Sequence, residues 1–212
     1  MKCFKSIVVT VLLTVSASAF AQFTNSGSGS SMSASNQEGW STFYVEWNPS
    51  SFQQKHYDDE SFTGFSVGYN RATCVSGTVP LFVETGLGVQ YSYWSGVGDI
   101  KLLSAKVPVE LLYAWQLPNT SVTLIPHAGL NLRFNILGTL SFEGDDLNLF
   151  DKDDMDYNGS DVWKRFQVGW QIGVKARFNK GFMIGASYGT DFSEIVKNVK
   201  VATTSITLGY TF

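Results

Sequence analysis

The chain has 212 residues, a formal net charge of −3 and a mean hydropathy of +0.01, and this length suits a single domain. Beyond residues 1–21, no apolar run is long enough to cross a bilayer as a helix, which excludes a helical membrane protein. The sequence has no basic patch, which excludes nucleic acid as a partner. Of the two cysteines only Cys74 lies beyond residue 21, so a disulfide framework is excluded.

The N-terminal residues predict an exported protein. A basic start with Lys2 and Lys5 precedes an apolar run at residues 7–15 and the small-x-small sequence Ala19-Phe20-Ala21. This order predicts a cleaved signal peptide at residues 1–21, because the apolar run is too short for a membrane anchor. Residues 22–39 are rich in Gly and Ser and predict a flexible tail, so the folded domain is expected at residues 40–212.

Eight segments of this domain alternate apolar and polar side chains with a period of two, which is the pattern of half-buried strands. They are residues 41–48, 62–71, 81–93, 102–115, 122–135, 163–178, 182–190 and 203–212. Their lengths suit tilted strands that cross an outer membrane, which need ~9–11 residues. The pattern is clearest in the third segment, where Leu87 and Val89 oppose Gly86 and Gly88.

The connections between these segments differ in length, as they do in membrane barrels with short periplasmic turns and long external loops. Short turns contain Pro118-Asn119 and Asn179-Lys180-Gly181, and long connections cover residues 49–61, 138–161 and 191–202. Residues 72–79 are long for a periplasmic turn and residues 94–100 are short for an external loop. The prediction is an all-β fold, an eight-stranded antiparallel up-and-down transmembrane β-barrel.

Aromatic residues cluster near both ends of the predicted strands, as they do at the two interfaces of a membrane. The periplasmic girdle is predicted to contain Tyr69, Tyr113, Trp115, Phe178, Phe182, Tyr210 and Phe212, and the external girdle Tyr91, Tyr93, Trp163 and Phe166.

The direction of the charged side chains separates a membrane barrel from a soluble lipocalin-like barrel, whose apolar side chains point inward. One phase of the strands carries bulky residues such as Trp47, Leu87 and Trp170, and the other is Gly-rich and charged. The predicted interior charge cluster consists of Glu46, Glu84, Lys106, Glu110, Arg133, Arg165, Lys175 and Arg177. These charges have both signs and can pair inside a narrow barrel, which favours lipid outside and a plugged interior over an open pore.

The last segment supports this orientation. Ile206, Leu208, Tyr210 and Phe212 lie on one face, and the chain ends on the apolar phase. With Tyr210 and Phe212, the segment resembles the C-terminal assembly signal of Gram-negative outer-membrane proteins. The resemblance implies contact with the barrel-assembly machinery during biogenesis.

Longer motifs extend the resemblance. Ala105-Lys-Val-Pro-Val-Glu-Leu-Leu-Tyr113, together with Pro80 to Gly88, Pro126 to Leu130 and Ile184 to Gly189, resembles Bacteroidetes-type outer-membrane β-barrel domains of the PorT-like group. The similarity covers residues 40–212 and extends to small OmpX- and OmpA-like barrels. It implies an eight-stranded barrel of largely unassigned role, with one branch of the group acting in protein secretion and gliding.

One loop carries a metal-ligand pattern. Asp154-Met-Asp-Tyr-Asn-Gly159 matches the first half of a calcium loop, with Asp154, Asp156 and Asn158 as oxygen ligands. Arg165 occupies the twelfth position, where a bidentate carboxylate is expected, and Asp161 would replace it imperfectly. The alternative is a solvated acidic loop. No other cofactor is predicted.

The two histidines do not predict an enzyme. His127 lies on the interior phase, away from the lipid-facing surface where a lipid A deacylase would need it. We therefore expect a monomeric, non-enzymatic outer-membrane protein that contacts lipid and lipopolysaccharide and has a structural or surface-interaction role through its external loops. The alternatives are an accessory component of protein secretion, a small-solute transporter and, less favoured, a lipid A-modifying enzyme. The sequence does not identify a surface or secretion partner.

Overall fold

A computed structural model of the chain describes residues 38–54, 60–76, 78–96, 98–142, 144–157, 162–179 and 181–212. The elements in this part of the chain are β1 (Trp40–Trp47), β2 (Ser50–Gln54), β3 (Glu60–Cys74), β4 (Leu81–Ser95), β5 (Asp99–Tyr113), β6 (Trp115–Gln116), β7 (Val122–Phe142), β8 (Asp145–Asn148), α1 (Lys152–Tyr157), β9 (Phe166–Phe178), β10 (Phe182–Asp191) and β11 (Val199–Thr211). Among the described residues, no helix is sufficiently long and apolar to pass through a membrane.

The strands form a closed antiparallel ring. Strands β1 and β2 together occupy one strand position of the barrel, since both pair with β3 on one side and with β11 on the other. Around the ring this interrupted strand is followed by β3, β4, β5, β7, β9, β10 and β11. Strand β6 continues β5 along β7, and β8 pairs with β7 beyond the ring. The prediction of an eight-stranded antiparallel barrel is confirmed.

The register fixes the tilt of the strands. We start at Phe182 of β10 and move from each residue to its partner on the next strand. One circuit of the ring ends at Phe192, just after β10 and ten residues further along the chain. Eight strands with this stagger tilt by about 40° to the barrel axis. The interior of such a barrel is only wide enough for its own side chains.

The faces of the wall are as predicted. On β11, Ile206, Leu208 and Tyr210 are exposed, while the intervening Thr207 and Gly209 are buried. Elsewhere Leu87 is 60% exposed and Glu84 is 1% exposed. Because bulky apolar residues point away from the axis and charged residues point toward it, the wall is suited to lipid, and the lipocalin-like alternative is excluded.

Several element boundaries differ from the predicted ones. The predicted loop at residues 49–61 begins with a further strand, β2, after an interruption at Asn48 and Pro49. Strand β7 runs to Phe142 instead of residue 135, and the predicted loop at 138–161 contains β8 and α1. The end of the barrel opposite the start of β1 and the end of β11 is therefore extended by ordered structure. We call this end external and the other periplasmic, by the usual orientation of such barrels.

Candidate functional site in the barrel interior

The interior contains three levels of paired polar side chains, which we call the lower, middle and upper tiers from the periplasmic end. The lower tier consists of Tyr44, Asn70, Glu84, Glu110, His127 and Lys175. The middle tier is centred on Glu46 and Lys106, and the upper tier on Arg133 and Asp191. Their side chains alternate with the lipid-facing residues along each strand, since successive residues of a strand point to opposite faces.

Lys175 is the hub of the lower tier. Its Nζ lies 2.5 Å from Oε1 of Glu84 and 2.9 Å from Oε2 of Glu110. All three residues are buried, at 6% exposure or less. One ammonium group of β9 therefore joins carboxylates of β4 and β5 across the lumen. Charges this deeply buried are tolerated only when they are paired.

Two amides, an imidazole and a phenol surround these three charges. Asn70 Nδ2 donates to Glu84 Oε1 at 3.1 Å, and Gln171 Nε2 donates to Glu110 Oε1. His127 Nδ1 lies 3.1 Å from Glu110 Oε2, within ion-pair distance. The Tyr44 ring lies against the inner wall over two glycines of the neighbouring strands β3 and β4. A Cβ at Gly68 or Gly88 would lie 2.5 or 2.4 Å from the Tyr44 hydroxyl oxygen, so only glycine leaves room for the ring.

The middle tier is a single balanced ion pair. Lys106 Nζ lies 2.7 Å from Glu46 Oε2, and the two residues come from β5 and β1. Ser66 and Thr207 donate hydroxyl hydrogen bonds to the same carboxylate at 2.8 and 3.1 Å. Each oxygen of Glu46 is thereby satisfied, which offsets the cost of burying the charge.

The upper tier joins β7 to β10. Arg133 Nη2 lies 2.5 Å from Asp191 Oδ2, and Arg133 Nε donates to Gln167 Oε1 at 2.8 Å. Asn135 continues the network, because its Nδ2 donates to the same Gln167 oxygen at 3.5 Å and its Oδ1 accepts from Ser104 Oγ at 2.7 Å. The predicted interior cluster contained Arg133 but not its partner Asp191.

Apolar layers close the lumen above and below the tiers. The floor cluster, at the periplasmic end, consists of Trp40, Ala72, Phe82, Leu112 and Ile125. The roof cluster, at the external end, consists of Phe52, Leu102, Ile195 and Val201, with Phe62, Trp94 and Trp163 packed against it. The alternation along the strands predicted neither layer, because it indicates an inward phase that is uniformly polar and Gly-rich.

The remaining space in the interior is small. Cavities lined by described residues have volumes of about 10 Å³ at the roof, about 20 Å³ beside the upper tier and about 10 Å³ beside the lower tier. Each is about the size that one or two water molecules occupy. The described interior is therefore closely packed at these three levels.

Two of the predicted interior charges lie apart from the three tiers. The Arg177 guanidinium lies 4.2 Å from the centroid of the Trp40 ring, at the floor. Arg165 is exposed at the external rim, where it donates to the Ile136 carbonyl at 2.8 Å and lies 4.3 Å from the Phe150 ring. Its position just before β9 explains the difference, since the alternation of faces holds only inside a strand.

Of the four predicted calcium ligands, only the side chain of Asp154 lies among the described residues. Asp154 Oδ2 accepts a hydrogen bond from the Asn148 backbone N–H at 2.9 Å, which ties α1 to β8. The side chain of Asp156 and the whole of Asn158 and Asp161 lie outside the described residues. Among those described, no three His, Cys, Asp or Glu residues form a metal-binding group. The calcium site therefore stays a prediction.

The aromatic girdles follow the predicted pattern except at Trp163 and at Tyr93, which is half-buried beside the roof cavity. All seven periplasmic residues are exposed, among them Tyr210 at 61% and Phe212 at 60%. At the external end Tyr91 and Phe166 are exposed, but Trp163 turns inward, with its ring centroid 5.9 Å from that of Phe52. Trp163 precedes β9 and is a roof residue instead of a girdle residue.

Asn48 is an interior residue that was predicted only as the end of the first strand. It is fully buried where β1 gives way to β2. Its Nδ2 donates to Ser66 Oγ at 2.8 Å, and its Oδ1 accepts from Ser205 Oγ at 2.7 Å. Asn48 thus bonds the interrupted strand, β1 and β2, to both neighbouring strands, β3 and β11. The only sequence signal was its position before Pro49, which marks an irregularity.

A closed barrel with a lipid-facing apolar wall and a filled, ion-paired interior defines an integral membrane barrel of the outer-membrane type. The sequence agrees with this class: the chain belongs to the family of the outer membrane protein beta-barrel domain, whose family model matches residues 7–212. The protein is accordingly an outer-membrane β-barrel. No curated protein sequence is a significant match.

Solved structures of small outer-membrane barrels resemble this one. Neisserial surface protein A matches with a TM-score of 0.52 and 16% identity over 81% of this chain and 97% of that one. Ail, the attachment invasion locus protein of Yersinia pestis, matches with a TM-score of 0.47 and 19% identity over 82% of this chain and 99% of that one. The outer membrane enzyme PagL matches with a TM-score of 0.47 and 14% identity over 78% of this chain and 97% of that one. At these identities the likeness concerns the fold alone.

Proposed function

We propose that the protein is a closed, monomeric barrel that conducts no solute and acts at the cell surface through its external structure. The filled interior is the observation that carries this proposal. A solute would have to displace the floor cluster, three tiers of ion pairs and hydrogen bonds, and the roof cluster. Small-solute transport is for that reason the less favoured alternative.

The external structure supports a role in contact with other molecules. Strands β7 and β8 and helix α1 form an ordered excursion, with Leu149 and Met155 buried at 1% and 3% exposure. Its surface is acidic: Asp145, Asp146, Asp151 and Asp153 are exposed. An ordered acidic surface suits a basic protein partner, or lipopolysaccharide phosphates bridged by divalent cations.

The finer family assignment is part of the proposal. The motif from Ala105 to Tyr113 favours the PorT-like group, and its match to that group supports an accessory role in protein secretion as the second candidate function. We propose no catalytic role, because His127 is enclosed in the lower tier at 5% exposure, away from any lipid substrate.

Planar bilayers test the closed barrel. Purified protein in its folded, heat-modifiable form is expected to give no conductance steps, and regular steps would contradict a closed interior. The surface role is tested with a variant in which the four exposed aspartates of the excursion are changed to asparagine. Capture of envelope partners from intact cells is expected to fall in this variant. A matched variant, Glu60→Gln, changes an exposed charge outside the excursion and is expected to leave capture unchanged.

A further inference from the structure

The outer face of the wall is irregular near the external end of β7. The pairing of β5 with β7 shifts register there, so that Ile136 is an extra residue of β7. Ile136 and Leu137 are consecutive, yet both are exposed, at 40% and 61%. A regular strand would turn one of them inward. Such bulges re-aim side chains and occur preferentially next to functional sites.

Arg165 is fixed at this bulge. Its Nη1 donates to the Asn135 carbonyl at 3.3 Å and to the Ile136 carbonyl at 2.8 Å. The guanidinium also lies 4.3 Å from the centroid of the Phe150 ring. Its Nε and Nη2 make no hydrogen bond to a described residue, which leaves these donors for a ligand. The bulge carbonyls therefore hold an exposed cation in one position.

A second cation lies on the neighbouring strand. Lys101 of β5 is exposed and pairs with Thr139, just beyond the bulge on β7. It makes no ion pair with a described residue. From Tyr113 of the periplasmic girdle to Lys101, β5 rises about 30 Å, at ~3.3 Å per residue and a tilt of about 40°. The apolar band of such barrels is about 25 Å tall, so Lys101 lies at the level of the lipid headgroups.

The chemistry of this face changes in layers along the barrel axis. On the membrane side of the two cations the face is apolar, as at Leu137. Further out it becomes acidic, because Asp99 of β5 and Asp146 of β8 both pair with Ser141 of β7. A phosphate is attracted at the basic level and repelled beyond it, so the face sets the depth of an anionic headgroup.

We propose that this face binds one phosphate-bearing lipid of the outer leaflet, with the phosphate between Lys101 and Arg165 and an acyl chain against Phe134 and Leu137. A guanidinium matches the geometry of a phosphate, and the lysine adds a second positive charge. Exposed apolar side chains next to the charges suit an acyl chain, which a free phosphate ion lacks. Because the wall holds the lipid and the acidic residues of the excursion do not, this site is independent of the surface role proposed above.

Native mass spectrometry of the folded barrel in detergent, titrated with lipid A, tests the site. We expect one lipid A to bind. Dephosphorylated lipid A should bind at least tenfold more weakly, because it lacks the charges, and inorganic phosphate should not displace lipid A, because it lacks the acyl chains. Equal binding of the dephosphorylated lipid, or displacement by inorganic phosphate at a similar concentration, would overturn the proposal.

Variants show whether the lipid binds at the bulge. Lys101→Gln keeps the bonds of Arg165 and is expected to weaken lipid A binding about fivefold, while the urea midpoint in lipid-free detergent stays unchanged. Adding Arg165→Gln should bring the loss to at least tenfold. Lys200→Gln is the matched control, because Lys200 is equally exposed on β11, which pairs with none of β5, β7 and β9. Equal lipid A binding by the Lys101 and Lys200 variants would place the lipid elsewhere and refute the site.

Discussion

The outer wall and the lumen of this barrel are built from the same strands but follow different rules. On the wall each position needs only an apolar side chain of suitable size, since the lipid is a uniform solvent. In the lumen each charge needs a particular partner, as Lys106 does with Glu46. The wall is therefore specified by residue class, and the lumen is specified by pairs of residues. Substitutions that remove a partner in the lumen, or that place a charge on the wall, test this difference directly.

The largest effect is expected from Lys175→Met. It leaves Glu84 and Glu110 buried without their common cation. Removing one partner of a buried pair costs about 3–5 kcal/mol of unfolding free energy. We expect a large fall in the urea midpoint of the barrel in detergent, or no heat-modifiable band at all.

The matched control for this variant is Lys101→Met, because Lys101 is exposed on β5. A surface change of this kind should alter the unfolding free energy by less than about 0.5 kcal/mol. Equal effects of the two lysine variants would show that burial of the charge does not matter.

Two tryptophans on one strand compare the lumen with the wall. Trp40 packs in the floor cluster with its ring centroid 4.5 Å from that of Phe82, whereas Trp47 is 46% exposed toward lipid. Trp40→Ala leaves a cavity and should cost about 3–5 kcal/mol, measured by urea unfolding. Trp47→Ala should cost clearly less, and the reverse order would contradict the packed floor.

A charge on the wall tests the lipid-facing surface. Leu87 lies near the middle of β4 and is 60% exposed. Leu87→Arg should cost about 2–4 kcal/mol in lipid vesicles, as charges near the bilayer midplane do. Leu87→Met keeps an apolar side chain and is the control. An arginine that is tolerated here without loss would mean that this face meets water.

The smallest of the four effects is expected from Asn48→Ala. The change removes the amide that bonds Ser66 and Ser205 and leaves their hydroxyl groups buried. The expected cost is about 1–3 kcal/mol of unfolding free energy, measured by urea unfolding. Thr204→Ala, at an exposed position on β11, should change the unfolding free energy by less than about 0.5 kcal/mol. If the Asn48 variant is as stable as the Thr204 variant, the hydrogen bonds of Asn48 do not stabilise the interruption between β1 and β2.

The same contrast explains what could be predicted from the sequence. Alternation along β4 and β11 is a local property, so the strands and the outward direction of Leu87 and Leu208 were predictable. Which charges pair is not local, since Lys175 and Glu84 lie 91 residues apart. The floor was not predicted either, because an inward Trp40 becomes recognisable only when the closed ring brings four other strands toward it.

These long separations also bear on how the protein enters its membrane. Glu46 of β1 meets Lys106 of β5, and Glu84 of β4 meets Lys175 of β9, so an incomplete sheet would carry unmatched ions into a hydrocarbon environment. A half-inserted intermediate is thereby made costly, and truncated chains that lack one group of strands should not be retained in the bilayer. Insertion of the strands and closure of the ring are expected to be completed together.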